Sequence, residues 1–246
     1  FTLCQALVEK KEELQGLRLN TLISLFDWNL PGLGEYFQFE SWYLSRRERP
    51  MLQQGKLDYV PVSYFRADAL PYGIDELDVY IVAVSPPDQH GYCSFGTSVG
   101  MSPLMSKQAS RIIAEIDSSF IRTGGTNYIN ISEVDRCVER QSQLATLVTP
   151  ETFSQEKQDA VETICMQIAN DLVEDGDTIQ IGAGDMTSPL LGYLYGRRDL
   201  GMQTEIIPPG VVALVQAGIM TGKNKTIHPG KVVGTAFHPQ LSPEEL

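Results

Sequence analysis

Histidine, tryptophan and cysteine are scarce in this chain, and positive charge is in short supply. Of 246 residues only three are His, two Trp and four Cys, and 19 Lys and Arg stand against 31 Asp and Glu, a net charge of -12. That balance excludes a partner held mainly by its phosphates, because nucleic-acid binders concentrate Lys and Arg to displace counterions. Any anionic ligand has to be held by local groups. The cysteines, Cys4, Cys93, Cys137 and Cys165, lie far apart with no CxxC pair, so neither zinc nor dithiol chemistry is read, and a reducing cytosol is the expected compartment. No apolar run approaches the roughly 20 residues of a membrane-spanning helix. The opening residues run directly into Glu9-Lys-Lys-Glu-Glu13 without a signal-peptide pattern, so a cytoplasmic, soluble protein is expected, bound to neither membrane nor nucleic acid.

What the chain does have is a recurring unit: a short apolar run, then Gly or Pro punctuation, then a helix-like pattern. That alternation predicts an α/β fold, and the length accommodates two domains. Residues 17–25, 57–62, 79–84 and 111–116 are rich in β-formers. Residues 141–154 show neither period and contain Pro150, so the boundary is placed there, giving domains 1–148 and 149–246. Beyond it, Ser154 can cap a helix whose apolar Val161, Ile164, Ile168 and Leu172 recur at three and four, with Gly176 as the stop. Residues 178–182 read as a buried strand, 182–188 as a loop, and Pro189 as the first position of a helix reaching about Gly196. Residues 203–207 form the next strand, and residues 211–217 a short helix.

A strand, helix, strand succession of this length makes the two strands parallel neighbours with a right-handed crossover. Their C-terminal ends share one edge, where ligands of open α/β sheets bind. Glu205 is thereby placed beside residues 182–186. An ionised side chain inside an apolar strand costs several kcal/mol unless it is paired or reaches solvent. Either Glu205 faces solvent or pairs with Arg197 or Arg198, or it is a nucleophilic carboxylate, with the backbone N–H groups of Gly182-Ala-Gly184 holding the oxyanion formed at an attacked carbonyl. The glycine turn lacks the third glycine of a dinucleotide fingerprint and the Gly-Lys-Ser/Thr of a phosphate loop.

A second distinctive stretch runs from Val84 to Gly96 and holds Ser85, Pro86, Pro87, Asp88 and His90. It reads as a rigid structural loop with His90 satisfied by backbone hydrogen bonds, or as the wall of a substrate pocket formed by Ser85, Pro86, Pro87 and His90. A His90/Cys93 catalytic pair would need a third, orienting group, and none is evident.

Taken together, Ser85-Pro-Pro-Asp-Gln-His-Gly-Tyr-Cys-Ser94, Ile181-Gly-Ala-Gly184 and Leu200-Gly-Met-Gln-Thr-Glu-Ile206 resemble the acetyl-CoA hydrolase/transferase family, which includes 4-hydroxybutyrate and acetate CoA-transferases. Asp135 and Gly218-Ile-Met-Thr-Gly222 extend the similarity along the chain. The resemblance implies two CoA-transferase-type (NagB/RpiA-like) open-sheet α/β domains with the active site between them. It implies that Glu205 is the catalytic residue and that Gly182, Ala183, Gly184, Asp185 and Met186 contact coenzyme A, a backbone N–H among them reaching the thioester oxygen. The substrates implied are an acyl-CoA and a small carboxylate, with no tightly bound cofactor and no metal; the oligomeric state stays open, a homodimer being one option. The family's pattern has a strand and Gly-rich turn ahead of the segment matching Phe1 and further motifs beyond that matching Leu246, so the second domain is expected to be truncated. Two positions depart from the pattern: Gln203 stands where His or Tyr is frequent, and Thr187 where the glycine loop often has Pro. Three alternatives remain beside the transferase: a hydrolase using the same glutamate, a non-catalytic CoA-binding or assembly module, and a sugar-phosphate isomerase-like protein, which would need a basic pocket from Lys223, Lys225 and Lys231.

Overall fold

Short β-branched runs broken by Gly and Pro cannot make long strands, and the computed structural model shows many brief parallel ones. It describes residues 2–63, 76–97, 99–140, 153–182, 184 and 187–238. The chain divides into two compact units, Phe1–Gly96 with Met101–Ala145, and Thr97–Gly100 with Thr146–Leu246. The expected boundary at residue 148 lies outside the described residues.

The first unit opens with helix α1 (Thr2–Glu9), strand β1 (Arg18–Thr21), strand β2 (Gln38–Ser41), helix α2 (Arg49–Gln53) and strand β3 (Asp58–Tyr59). β1, β2 and β3 form a parallel sheet in that order. Its core is aromatic: Trp28, Phe37 and Phe39 are buried with Leu33, Met51 and Leu57, the Trp28 and Phe39 rings 5.9 Å apart. Next come β4 (Leu77–Val84), β5 (Tyr92–Ser94), α3 (Ser102–Gln108), β6 (Ala109–Ile116), β7 (Tyr128–Asn130) and β8 (Arg136–Glu139). β4, β6 and β8 make a second parallel sheet with β6 central, and β5 and β7 pair antiparallel. Asp135 extends β8 toward β6: its carboxylate accepts from Ile112 N at 2.8 Å and its own N–H donates to Ile112 O at 3.0 Å.

The second unit contains α4 (Gln155–Asp171), β9 (Thr178–Ile179), α5 (Thr187–Gly192) continued by a 3-10 turn (Tyr193–Gly196), β10 (Gly201–Ile207), α6 (Val211–Gln216) and β11 (Val232–Phe237). β10 lies between β9 and β11, parallel to both, as the strand, helix, strand reading requires. Residues 97–100 belong to this unit: Val99 N donates to Thr235 O at 3.0 Å and Phe237 N to Thr97 O at 2.7 Å, laying a short stretch of chain along β11.

Ser154 caps α4 as its position demands, accepting from Lys157 N at 3.3 Å. Its packed face differs from the expectation. Val161, Cys165 and Ala169 are buried, whereas Ile164 and Leu172 are 41% and 71% exposed. Two small residues on the inner face let the helix backbone approach the unit's core closely, and the stripe turns accordingly. Nor is Gly176 the stop, since the helix ends at Asp171 and Arg197 donates to the carbonyls of Ala169 and Asn170, satisfying its last turn. Gly176 instead sits at φ 89° in the following turn, where a Cβ would meet Asn224 Nδ2 at 2.6 Å. Pro189 is the third residue of α5 rather than its first. Around β10 close Ile181, Leu191, Leu194, Leu200, Met202, Ile207, Val211 and Leu214, all buried.

Candidate active site

β10 is a strand with one packed face: Met202 and Thr204 are buried while Gln203 and Glu205 are exposed. The predicted nucleophile therefore meets solvent, which removes the desolvation cost of an ionised side chain in a strand. Among the described residues its carboxylate has no hydrogen bond or ion pair; Arg197 is committed to the end of α4. The Glu205 backbone is fixed from the other side, its carbonyl accepting from Thr235 Oγ1 of β11 at 2.8 Å.

The glycine turn sits level with it. β9 and β10 are aligned with Thr178 opposite Gly201 and Ile179 opposite Met202. Past Ile179 the backbone ladder stops, and the Thr204 side chain takes over, its hydroxyl accepting from Ile181 N at 3.2 Å and donating to Ile181 O at 2.6 Å. The next residues on either side of that link are Gly182 and Glu205. Gly182 and Gly184 are exposed, and a methyl added at either meets no described atom within 4 Å. Ala183, Asp185 and Met186 lie outside the described residues.

In the first unit, the loop after β4 is bonded to itself. Asp88 Oδ1 accepts from the N–H groups of His90 and Tyr92, both at 2.9 Å, and Asp88 N donates to Tyr92 O at 2.9 Å. Ser85 is buried; its hydroxyl accepts from Ser94 N at 2.9 Å and donates to Pro86 O at 3.0 Å. One arginine gathers the rest: Arg122 Nη1 lies 3.1 Å from Ser85 Oγ, 3.2 Å from Pro86 O and 2.9 Å from Tyr92 O, while Nη2 pairs with Asp88 Oδ2 at 3.0 Å. The hydrogen bond from Tyr92 N is the largest influence on the Asp88 carboxyl; burial opposes it, and the further bond from His90 N and the Arg122 charge keep its pKa below the ordinary value. Pro86, Pro87 and His90 are exposed, and the His90 ring is 3.2 Å from Gln89 Nε2. Cys93 is wholly buried, its thiol pushed up in pKa by burial, and no bond joins it to His90. Sequence reasoning missed both Arg122 and the Thr204 link. A lone arginine in a loop carries no local signature, and threonine in a strand reads as a β-former.

The basic pocket of the isomerase alternative does not assemble. Lys225 is buried and donates to Met202 O at 2.7 Å and Lys231 O at 2.8 Å, and Lys223 pairs with Asp199 at 2.6 Å. Among the described residues no group of three or more His, Cys, Asp or Glu could hold a metal ion, and no helix is long and apolar enough to cross a membrane.

The model of the acetyl-CoA hydrolase/transferase N-terminal domain matches residues 2–149. The chain belongs to that family. It is 33% identical over 241 residues to the 4-hydroxybutyrate coenzyme A transferase of Clostridium kluyveri, covering 95% of this chain and 54% of that protein. Among solved structures it resembles RipA from Yersinia pestis, at a TM-score of 0.80 and 28% identity over 94% of this chain and 56% of that one. It also resembles the 4-hydroxybutyrate CoA-transferase of Porphyromonas gingivalis, at a TM-score of 0.70 and 27% identity over 95% and 60% of the two chains. The chain spans about half the length of the curated relatives it matches. Membership carries the α/β fold of both units.

Proposed function

We propose that the protein containing this chain transfers coenzyme A between an acyl-CoA and a small carboxylic acid, with Glu205 as the covalent nucleophile. The observation that carries the reading is an exposed carboxylate, unpaired among the described residues, level with the exposed Gly182 that follows the adjoining strand. A carboxylate oxygen of Glu205 adds to the thioester carbonyl, the C–S bond breaks, and CoA leaves as thiolate from a mixed anhydride. The thiolate then attacks the Glu205 carbonyl of that anhydride, forming a glutamyl-CoA thioester and releasing the first acid as its carboxylate. An acceptor carboxylate repeats the two steps in reverse, giving the new acyl-CoA and free Glu205. Backbone N–H groups of the 182–184 turn supply the oxyanion donors, and a turn of small residues allows a ligand to reach them. In the first unit, Ser85 acts by fixing the backbone of the loop after β4, since its hydroxyl is spent internally.

The similarity to named CoA-transferases favours transfer over hydrolysis. Trapping decides the chemistry: the intact protein, incubated with acyl-CoA and then borohydride or hydroxylamine, should carry a mass change on the peptide containing Glu205 that Glu205→Ala lacks. Absence of the adduct would overturn the nucleophile assignment. CoA release that needs no acceptor acid would identify a hydrolase, and CoA binding with every activity indifferent to Glu205→Ala a binding module.

A further inference from the structure

β10 carries a residue whose side chain does what a backbone ladder ordinarily does. In a regular parallel pair the strand bonds continue evenly along both chains. Here the β9 ladder ends at Ile179, two residues short of the turn, yet Ile181 is 5% exposed and its N–H and C=O need partners. The Thr204 hydroxyl meets both, accepting from the N–H at 3.2 Å and donating to the C=O at 2.6 Å; Ile206 O, at 3.3 Å, is the more distant alternative acceptor for its single proton. Thr204 is itself 7% exposed, and its register partner on β11 is Gly234. A β-branched side chain in a buried position has few rotamers to choose from.

We infer that Thr204 is a positioning residue: its hydroxyl locks the peptide of Ile181, and through it the glycine turn that starts at the next residue, at a fixed offset from Glu205. This rests on the reading of Glu205 as the nucleophile. The link joins the residue before the turn to the residue before the carboxylate, and so ties the place of the oxyanion donors to that of the attacking oxygen. Valine has the same shape without the hydroxyl and leaves both Ile181 groups without a partner among the described residues; the turn is then free to shift while the core stays filled.

The test compares wild type, Thr204→Val, Thr204→Ser and Glu205→Ala in the intact protein, well below each melting temperature. Misplacement by about 1 Å costs up to about 100-fold in rate, so Thr204→Val should lose about 10- to 100-fold in kcat. KM should move by less than about 3-fold, with single-turnover acylation of Glu205 slowed in parallel, because this link acts on the reacting geometry rather than on binding. Thr204→Ser, which keeps the hydroxyl, should recover to within about 5-fold of wild type. Should the valine variant not fold, Thr204→Cys, of similar size and a weak donor, replaces it with the same expectation. A lowered melting temperature with kcat within about 2-fold would reduce Thr204 to a structural role, and equal impairment of the serine and valine variants would equally overturn the inference. Glu205→Ala reports on the underlying reading: if it retains transfer, that reading fails whatever Thr204 does.

Discussion

Alanine at Gly182 or Gly184 should separate folding from catalysis. Gly182 has no left-handed φ, and a Cβ built at either glycine meets no described atom within 4 Å. Among the described residues the added methyl meets nothing in the folded state, while the unfolded chain loses conformational freedom, so stability should stay level or rise by about 0.4–1 kcal/mol. The ligand side is opposite in sign. A methyl projects about 1.5 Å from the backbone into the space where a thioester has to approach the N–H groups, and displacement on that scale costs up to about 100-fold, or about 2.7 kcal/mol of barrier. Thermal melts of the intact variants should overlay wild type or lie slightly above it, while CoA-transfer kcat/KM falls by about 30- to 100-fold. Gly96→Ala is the contrasting case. That residue sits at φ 72°, and its Cβ would lie 2.5 Å from Phe120 Cδ2, so the loss there should appear in the melt. If Gly182→Ala and Gly184→Ala both melt normally and both transfer CoA within about 2-fold of wild type, no ligand approaches that turn and the reasoning is wrong.

Arg122→Ala should loosen the loop after β4. Two Nη1 hydrogens serve the Ser85, Pro86 and Tyr92 oxygens, and charge-assisted bonds of about 1.5–3 kcal/mol each, discounted for partial exposure, leave about 2–3 kcal/mol. Hydrogen exchange at Tyr92 and Ser94 should accelerate, and Arg122→Lys, without the planar fork, should restore less than half; full restoration by lysine would contradict the network. Asp117 gives a pH signature. Burial pushes its pKa up, but hydrogen bonds from Ser119 N and Oγ and the Arg140 charge outweigh it, and the carboxyl lies below its ordinary value. Between the folded and unfolded pKa values the unfolded chain binds more protons, so this stabilisation is full above the ordinary carboxylate pKa of about 3.9 and disappears as pH falls through the lower folded value. Urea titrations should show Asp117→Asn weaker than wild type by about 1–3 kcal/mol at pH 7 and equal to it in strong acid; a difference that persists in acid would refute the assignment.

Elements with dense local signals were legible from residues alone. α4 announces itself by its length and Ser154 cap, β4 and β6 by short stretches rich in β-formers, and β9 and β10 by the crossover between them. Pairings between short, distant segments were not. β5 and β7 are three residues each and meet across a long intervening stretch, and β2 offers only Phe39 and alternating polar neighbours. β11 hides behind Gly234, which is there because a Cβ would strike Ile207 Cγ1 at 2.7 Å. The candidate site divides the same way: Glu205 and the glycines are visible as residue types in order, whereas the partners of Thr204 and Arg122 exist only once strands and loops are folded.

The stretch Thr97–Gly100 gives the chain an unexpected wiring. Thr97 and Val99, which interrupt the sequence of the first unit, bond the flank of β11, so the two halves are interlaced in sequence. A gene cut near residue 146 would make a second half with that flank bare, its N–H and C=O groups available to any passing strand, and self-association is the foreseeable outcome. Grafting residues 97–100 back through a short linker, rather than lengthening either end, is the repair the wiring dictates.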